Sequence, residues 1–165
     1  MNKTMFDEVA DMNTTFGNPQ GDRNNVDWAR LENQAKNIKD EYDELMEAIA
    51  KRDINEVRDA LCDINVFSLG AHHFIGRDAT EDMHAVYESN MSKVCHSAAD
   101  MNATLKYYRD KGVEVYARIF GGDGSLNSGE YAIVYSLKEQ EVGGKVYRKD
   151  KFLKNVNWKE PVFKE

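Results

Sequence analysis

Apolar residues recur at intervals of three and four along much of the first 112 positions, which is the spacing of one face of an α-helix. The clearest run begins at Trp28 and continues through Leu31, Ala35, Ile38, Tyr42, Leu45 and Ile49. A second run follows a short polar break and contains Val57, Ala60, Leu61, Ile64, Phe67 and Ala71. The two runs predict a pair of long helices, each with one apolar seam.

Residues that begin and end helices divide this region into five predicted helices. The first covers 5–16 and ends at a Gly-Asn-Pro segment, because glycine and proline both stop helix propagation. The expected caps of the later helices are Asn25 or Asp27 for the second, Asp53 for the third and Thr80 for the fourth. The fifth runs from about Ala98 to Asp110 and closes at Gly112.

The pattern changes after residue 112. Segments 113–120 and 131–137 are rich in valine, isoleucine and aromatic residues, and a third short candidate, 145–148, follows Gly143 and Gly144. These three segments predict a small antiparallel β-meander. The glycines of 121–129 lie between two strands and lack the lysine and helix of a phosphate-binding P-loop, which favours a hairpin loop. We therefore expect a mainly α protein, with a helical core over 1–112 and a β appendage and tail over 113–165.

The bulk composition restricts the partners. A net charge of −7 in 165 residues argues against a nucleic-acid polymer, which binds basic surfaces, but allows a phosphorylated small molecule if a divalent metal lies between. Two cysteines, Cys62 and Cys95, do not make a disulfide framework and indicate a reducing compartment. No apolar stretch approaches the roughly 20 residues that cross a bilayer, and no signal-peptide run begins the sequence. We expect a cytoplasmic protein without a membrane partner.

Acidic residues border both apolar seams. Glu41 and Glu44 are three positions apart and project from one face of the second helix. On the third helix, Glu56, Asp59 and Asp63 follow the same spacing beside the buried stripe.

A short break between these helices predicts an antiparallel pair in which Glu44 comes level with Glu56 and Glu41 meets Asp59. Converging carboxylates repel one another in a partly buried cleft, and a hard divalent cation such as Mg²⁺ relieves that repulsion. The alternative is that these acids are ordinary residues of a solvated helix face. Spacing alone leaves the two interpretations about equal.

Longer motifs favour the metal site. The segments Asp40–Leu45 and Glu56–Asp59, followed by Ser89–Lys93, resemble the Glu-Glu-x-x-Glu, Glu-x-x-Asp and closing-helix motifs of the MazG-like and phosphoribosyl-ATP-pyrophosphohydrolase-like superfamily. They are most similar to a subgroup common in bacteriophages and bacteria. Segments 16–19 and 151–158 are also similar to that subgroup, so the resemblance covers nearly the whole chain.

The resemblance implies an all-α nucleoside triphosphate (NTP) pyrophosphohydrolase bundle that forms homo-oligomers, either dimers or tetramers. It implies Mg²⁺, with Mn²⁺ as a possible substitute, held by Glu41, Glu44, Glu56 and Asp59. The family cleaves the α–β phosphoanhydride of a nucleoside triphosphate to a monophosphate and pyrophosphate. The phage-like resemblance implies a role in adjusting the deoxynucleotide pool in the host cytoplasm.

Further roles follow from motif positions. Asn90 and Lys93 match substrate-contacting positions. Asp63 matches a further family acid, which we expect either to support the metal ligands from behind or to contact the nucleotide. Catalysis is assigned to Glu41 and to Asp40, which is a candidate for orienting or deprotonating the attacking water. The family signature has glutamate where this chain has Asp40, and the spacer of 11 residues between Glu44 and Glu56 demands a compact turn.

Two other interpretations stay open. The chain could be a helical module that binds a nucleotide or protein partner without hydrolysis, or a phosphoribosyl-ATP pyrophosphatase. The histidines do not indicate a metal site of their own, since His72 and His73 are adjacent and point in different directions on a helix.

Overall fold

A computed structural model describes residues 3–122, 124, 126 and 129–164. Within that part, five helices precede four short strands, which confirms the mainly α prediction. The helices are α1 (Met5–Thr15), α2 (Trp28–Lys51), α3 (Ile54–Ile75), α4 (Ala79–Met91) and α5 (Ala98–Asp110). The strands are β1 (Val115–Phe120), β2 (Tyr131–Ser136), β3 (Gln140–Val142) and β4 (Lys145–Tyr147).

The chain forms two compact units. The first ends at Asp82 and the second begins at Met83, so the division falls inside α4. The boundary expected after residue 112 from the change in sequence pattern lies within the second unit. No helix among the described residues has the length and apolar content needed to span a membrane.

Side-chain caps fix most helix starts. Thr4 and Asp7 form a reciprocal capping box at α1, and Asp27, rather than Asn25, caps α2 by accepting a hydrogen bond from the Arg30 amide at 3.0 Å. Thr80 is not the cap of α4, because that helix already begins at Ala79. The Asp78 carboxylate accepts from the Thr80 amide at 2.7 Å and thus takes the capping role that the sequence assigned to Thr80.

A two-residue turn joins α2 to α3 and folds them against each other as a helical hairpin. Arg52 ends α2 in the left-handed conformation with φ of 58°, and Asp53 caps α3 by accepting from the amides of Asn55 and Glu56. The small side chains of Ala48 and Ala60 are buried, which allows the two helices to approach closely.

The predicted seam of α2 is only partly covered. Leu31, Ile38 and Leu45 are half-buried, whereas Trp28, Tyr42 and Ile49 are exposed to 75%, 51% and 50%. A single partner helix covers only part of an apolar face this wide, and the remainder stays on the surface.

The loop between α1 and α2 packs closely on the end of α3. A Cβ built on Gly21 would meet the Phe74 carbonyl oxygen at 1.8 Å, so only glycine fits there. The buried His73 contacts the Asn18 carbonyl oxygen through Nε2 at 3.0 Å, and the Arg30 guanidinium lies 3.8 Å from the centroid of the Phe74 ring. In this unit His73 holds the loop in place.

The second unit encloses its own core. Strands β1 and β2 pair antiparallel with Val115 opposite Ser136, and Cys95 exchanges two backbone hydrogen bonds of 2.8 Å with Ala132. Leu153 and Tyr108 from the tail and α5 complete the buried cluster.

The predicted three-stranded meander is wrong in one respect. The third segment does not join β2; as β4 it pairs with β3, a strand that the sequence did not predict. Gly143 and Gly144 both have positive φ, at 60° and 74°, and a two-residue turn of that kind closes a separate hairpin. The predicted glycine-rich loop over 121–129 lies partly outside the described residues.

Candidate functional site

The predicted acidic residues all lie on the α2–α3 hairpin of the first unit. Glu41 and Asp63 are half-buried on facing helices, and the remaining acids are exposed: Asp40, Glu44, Glu56 and Asp59. Their positions follow from helical spacing and from the tight Arg52–Asp53 turn, which folds α3 back along α2.

Glu41 lies at the centre of this acidic cluster. Partial burial raises the pKa of its carboxyl, and the negative charges of neighbouring carboxylates raise it further. In decreasing order of effect these neighbours are Glu44, Asp63, Asp59 and Asp40. The hairpin therefore brings Glu41 together with Asp59, as the sequence predicts, and adds Asp63. Glu56, in the first turn of α3, is not among the groups that shift this pKa.

Lysines form ion pairs with other acids of the same helix but not with these. Glu32, Asp43 and Glu47 each pair with a lysine four positions away. Among the described residues, no ion pair includes any acid of the cluster or Glu56. Within the described residues, the charges that act on the Glu41 carboxyl are all negative.

The side chains present fit a hard cation by their chemistry. Carboxylate oxygens are the ligands that Mg²⁺ prefers, and Glu41, Glu44, Glu56 and Asp59 could supply them. The described part of this single chain nevertheless contains no group of three or more His, Cys, Asp or Glu residues already close enough to enclose a metal ion. Binding by these residues would require the exposed side chains to change rotamer, which surface carboxylates do readily.

The Ser89–Lys93 motif belongs to the second unit, at the end of α4. Its two serines anchor the C-terminal tail, since Ser89 Oγ donates to the Lys159 carbonyl oxygen at 2.9 Å and the Lys159 amide donates to Ser92 Oγ at 3.0 Å. Asn90 and Lys93 are left at the surface, where the lysine ammonium donates to the Asn90 side-chain oxygen.

Asn90 and Lys93 line a cavity of about 390 Å³ together with residues that the sequence did not indicate: Tyr131, Ile133 and Phe152 among them. The Lys93 ammonium lies 4.9 Å from the centroid of the Phe152 ring. Burial lowers the pKa of Lys93, and the charges of Lys154 and Lys151 lower it further. Of these residues, only Phe152 lies in a segment with a recognised resemblance, 151–158. Tyr131 and Ile133 belong to no sequence motif, so the sequence could not indicate them.

Comparisons with protein-family models, with curated proteins and with solved structures found no match to this chain.

Proposed function

We propose that the protein hydrolyses (deoxy)nucleoside triphosphates at the α–β phosphoanhydride in the presence of Mg²⁺, releasing a nucleoside monophosphate and pyrophosphate. The proposal rests on one observation above the others. Glu41 is half-buried among four carboxylates, none of which forms an ion pair with a basic residue of the described chain.

Such a cluster costs stability unless a cation occupies it, which is why it favours a metal site over a solvated helix face. The metal, with Mn²⁺ as a substitute, would be held by Glu41, Glu44, Glu56 and Asp59. When bound, it would neutralise negative charge on a triphosphate and polarise the phosphoryl group.

The remaining residues take roles that match their surroundings. Asp40 acts on Glu41 electrostatically and is the proposed acceptor of a proton from water, with a reach one methylene shorter than the glutamate of the resembling family. Asp63 would contact the nucleotide from the half-buried side of α3. The resemblance alone suggests substrate contact for Asn90 and Lys93, whose side-chain amide and ammonium groups suit hydrogen bonding and phosphate.

The two alternatives predict different results with the same substrates. A helical module without catalytic activity would bind a nucleotide or a protein partner and release no pyrophosphate. A phosphoribosyl-ATP pyrophosphatase would prefer that compound over every common triphosphate. Retention of all four metal-ligand positions of the resembling motif counts against the first alternative.

The test is an assay for pyrophosphate release over all common ribo- and deoxyribonucleoside triphosphates, with Mg²⁺, with Mn²⁺ and with EDTA. We expect metal-dependent turnover of at least one triphosphate. Glu41→Gln should lower kcat by about 100-fold or more, because it removes a group that contacts the reacting centre.

Glu47→Gln is the matched control, since Glu47 lies on the same helix and pairs with Lys51 on the surface. It should retain activity. Equal activity in the two variants would refute the assignment of the site. If the folded protein released no pyrophosphate from any of the triphosphates, the proposed reaction would be refuted.

A further inference from the structure

A second, larger cavity lies in the second unit and shares no lining residue with the Asn90 and Lys93 cavity. It has a volume of about 830 Å³ and is bounded by α5, the β3–β4 hairpin and the tail at 154–158. This volume is within the range of small-molecule sites in proteins, roughly 300–1,000 Å³.

The lining is basic although the protein as a whole is acidic. Lys111, Lys145 and Lys154 line the cavity, and no carboxylate does so among the described residues. None of these three lysines belongs to an ion pair within that part of the chain, whereas Lys106, on the outer surface of α5, pairs with Asp110. A chain of net charge −7 thus concentrates three uncompensated positive charges around one cavity.

Aromatic rings accompany each of these charges. The ammonium groups lie 4.1 Å from the ring centroid of Tyr107 for Lys111, 5.2 Å from Tyr147 for Lys145 and 3.1 Å from Trp158 for Lys154. Ring faces that attract a cation also stack on a planar base, and the lysine stems are long enough to move aside.

The base of the cavity is fixed by buried contacts. The Tyr108 hydroxyl donates a hydrogen bond to the Lys154 carbonyl oxygen at 3.0 Å, and the Asn155 side-chain Nδ2 donates to the Val94 carbonyl oxygen at 2.7 Å. Burial raises the pKa of Tyr108 to about 12, so it stays a neutral donor. At the rim, the hydrogen bond from Lys111 and the charges of Lys111, Lys145 and Lys154 lower the pKa of Tyr107, as expected where positive potential accumulates.

We propose that this cavity binds a nucleotide, with its phosphate on Lys111, Lys145 and Lys154 and its base stacked on Trp158. The combination of charge and ring faces selects this class of ligand, because phosphate alone does not use the rings and a nucleoside alone does not use the lysines. The site is independent of the acidic cluster and requires no metal.

Tryptophan fluorescence provides the test. The sequence has two tryptophans, so Trp28→Phe leaves Trp158 as the only reporter. Titration with AMP or GMP in EDTA should quench this emission saturably. A monophosphate has no α–β anhydride and EDTA removes divalent metal, so this result does not depend on whether the protein hydrolyses triphosphates.

Lys154→Gln and Lys111→Gln should each weaken AMP binding about tenfold, the loss expected for one charged hydrogen bond. Lys106→Gln is the control and should bind as the parent does. Adenosine carries only the base and sugar of AMP, and inorganic phosphate carries only its charged group, so each should bind at least tenfold more weakly than AMP.

Three results would overturn the proposal. The first is no quenching by either monophosphate at millimolar concentration. The second is equal binding in the Lys154, Lys111 and Lys106 variants, which would place the nucleotide elsewhere. The third is a stronger response to single-stranded oligodeoxythymidylate than to AMP or GMP, which would identify the surface as a nucleic-acid groove.

Discussion

Glu41 and Glu47 are the same residue type on the same helix, and their surroundings differ. Glu47 has Lys51 one turn later, with the ammonium nitrogen 3.1 Å from its carboxylate. The positions one turn from Glu41 are Asn37, Ile38, Glu44 and Leu45, so no basic neighbour on the helix can pair with it. The sequence around Glu41 thus leaves its charge uncompensated, and the fold of α3 adds further carboxylates.

The raised pKa of Glu41 gives a pH-dependent stability. The folded protein holds this proton more tightly than the unfolded chain, whose carboxyl has the ordinary pKa of 4.5. Below pH 4.5 the carboxyl is protonated in both states and does not reduce the free energy of unfolding. As pH rises through the folded-state pKa, ionisation of Glu41 in the folded protein lowers that free energy. Without divalent metal, Glu41→Gln should raise the melting temperature by about 1–3 °C at pH 7 and have no effect near pH 4.

Thermal unfolding followed by circular dichroism at both pH values measures this difference. Glu47→Gln, which loses a surface ion pair, should not be stabilised at pH 7. Added Mg²⁺ should stabilise the parent protein more than the Glu41 variant, because only the parent retains the full set of proposed ligands. A Glu41→Gln protein no more stable than the parent at pH 7 would contradict the electrostatic argument.

At the scale of elements, the α2–α3 turn determines which carboxylates face one another. Arg52 occupies the left-handed region with φ of 58°, where an L-residue is strained and glycine is not. The Asp53 amide donates to the Ala48 carbonyl oxygen at 3.0 Å and closes the end of α2. The backbone of the turn is therefore hydrogen-bonded, but Arg52 has a side chain that disfavours the left-handed conformation it adopts there.

Arg52→Gly should stabilise the protein by about 0.5–1 kcal/mol, because relief of strain exceeds the added entropy of the unfolded chain. Ala50→Gly, on the exposed last turn of the same helix, should instead destabilise by about 0.5–1 kcal/mol. Urea unfolding of both variants measures the two changes. Equal destabilisation would mean that the left-handed geometry of Arg52 costs nothing.

The strands differ in how well the sequence pattern predicts them. Segments of six residues, β1 and β2, were recognisable from their valine and aromatic content. Strand β3 has only three residues, Gln140, Glu141 and Val142, and two of them are polar. A run that short has no measurable alternation, so its pairing with β4 depends on the Gly143–Gly144 turn.

At the scale of the whole molecule, neighbours within one helical hairpin were predictable, and neighbours that depend on pairing of segments far apart in the sequence were not. Glu41 precedes Arg52 by 11 positions and Asp63 follows Asp53 by 10, so counting outward from the turn brings these two acids level, with Asp59 one helical turn closer to it. The cavity at Lys93 also needs Tyr131 and Phe152, which are brought there by backbone pairing of β2 with Cys95 and of Tyr135 with Phe152. No periodicity within a helix contains that information.

The exposed apolar residues of α2 and α3 lead to the last prediction. Met46, Ile49, Ile54 and Leu61 are exposed to 48%, 50%, 67% and 46%, together with Trp28 and Tyr42. Large apolar surfaces of this kind are usually covered in solution, and a second copy of the same helices is the partner that the resembling family implies. We expect a homo-oligomer, a dimer or a tetramer, whose mass is a multiple of 18.9 kDa.

Light scattering coupled to size-exclusion chromatography tests this expectation over a range of micromolar concentrations. Ile49→Glu places a charge on the exposed face of α2 and should shift the mass toward that of one chain, because an unpaired charge in an apolar interface costs several kcal/mol. Val146→Glu on β4 is the matched control, since Val146 is exposed to 52% but belongs to the second unit. The control should keep the mass of the parent. A parent protein that elutes as a single chain at every concentration would show that these apolar residues remain uncovered, and the carboxylates of one hairpin would then have to bind the metal without a neighbouring copy.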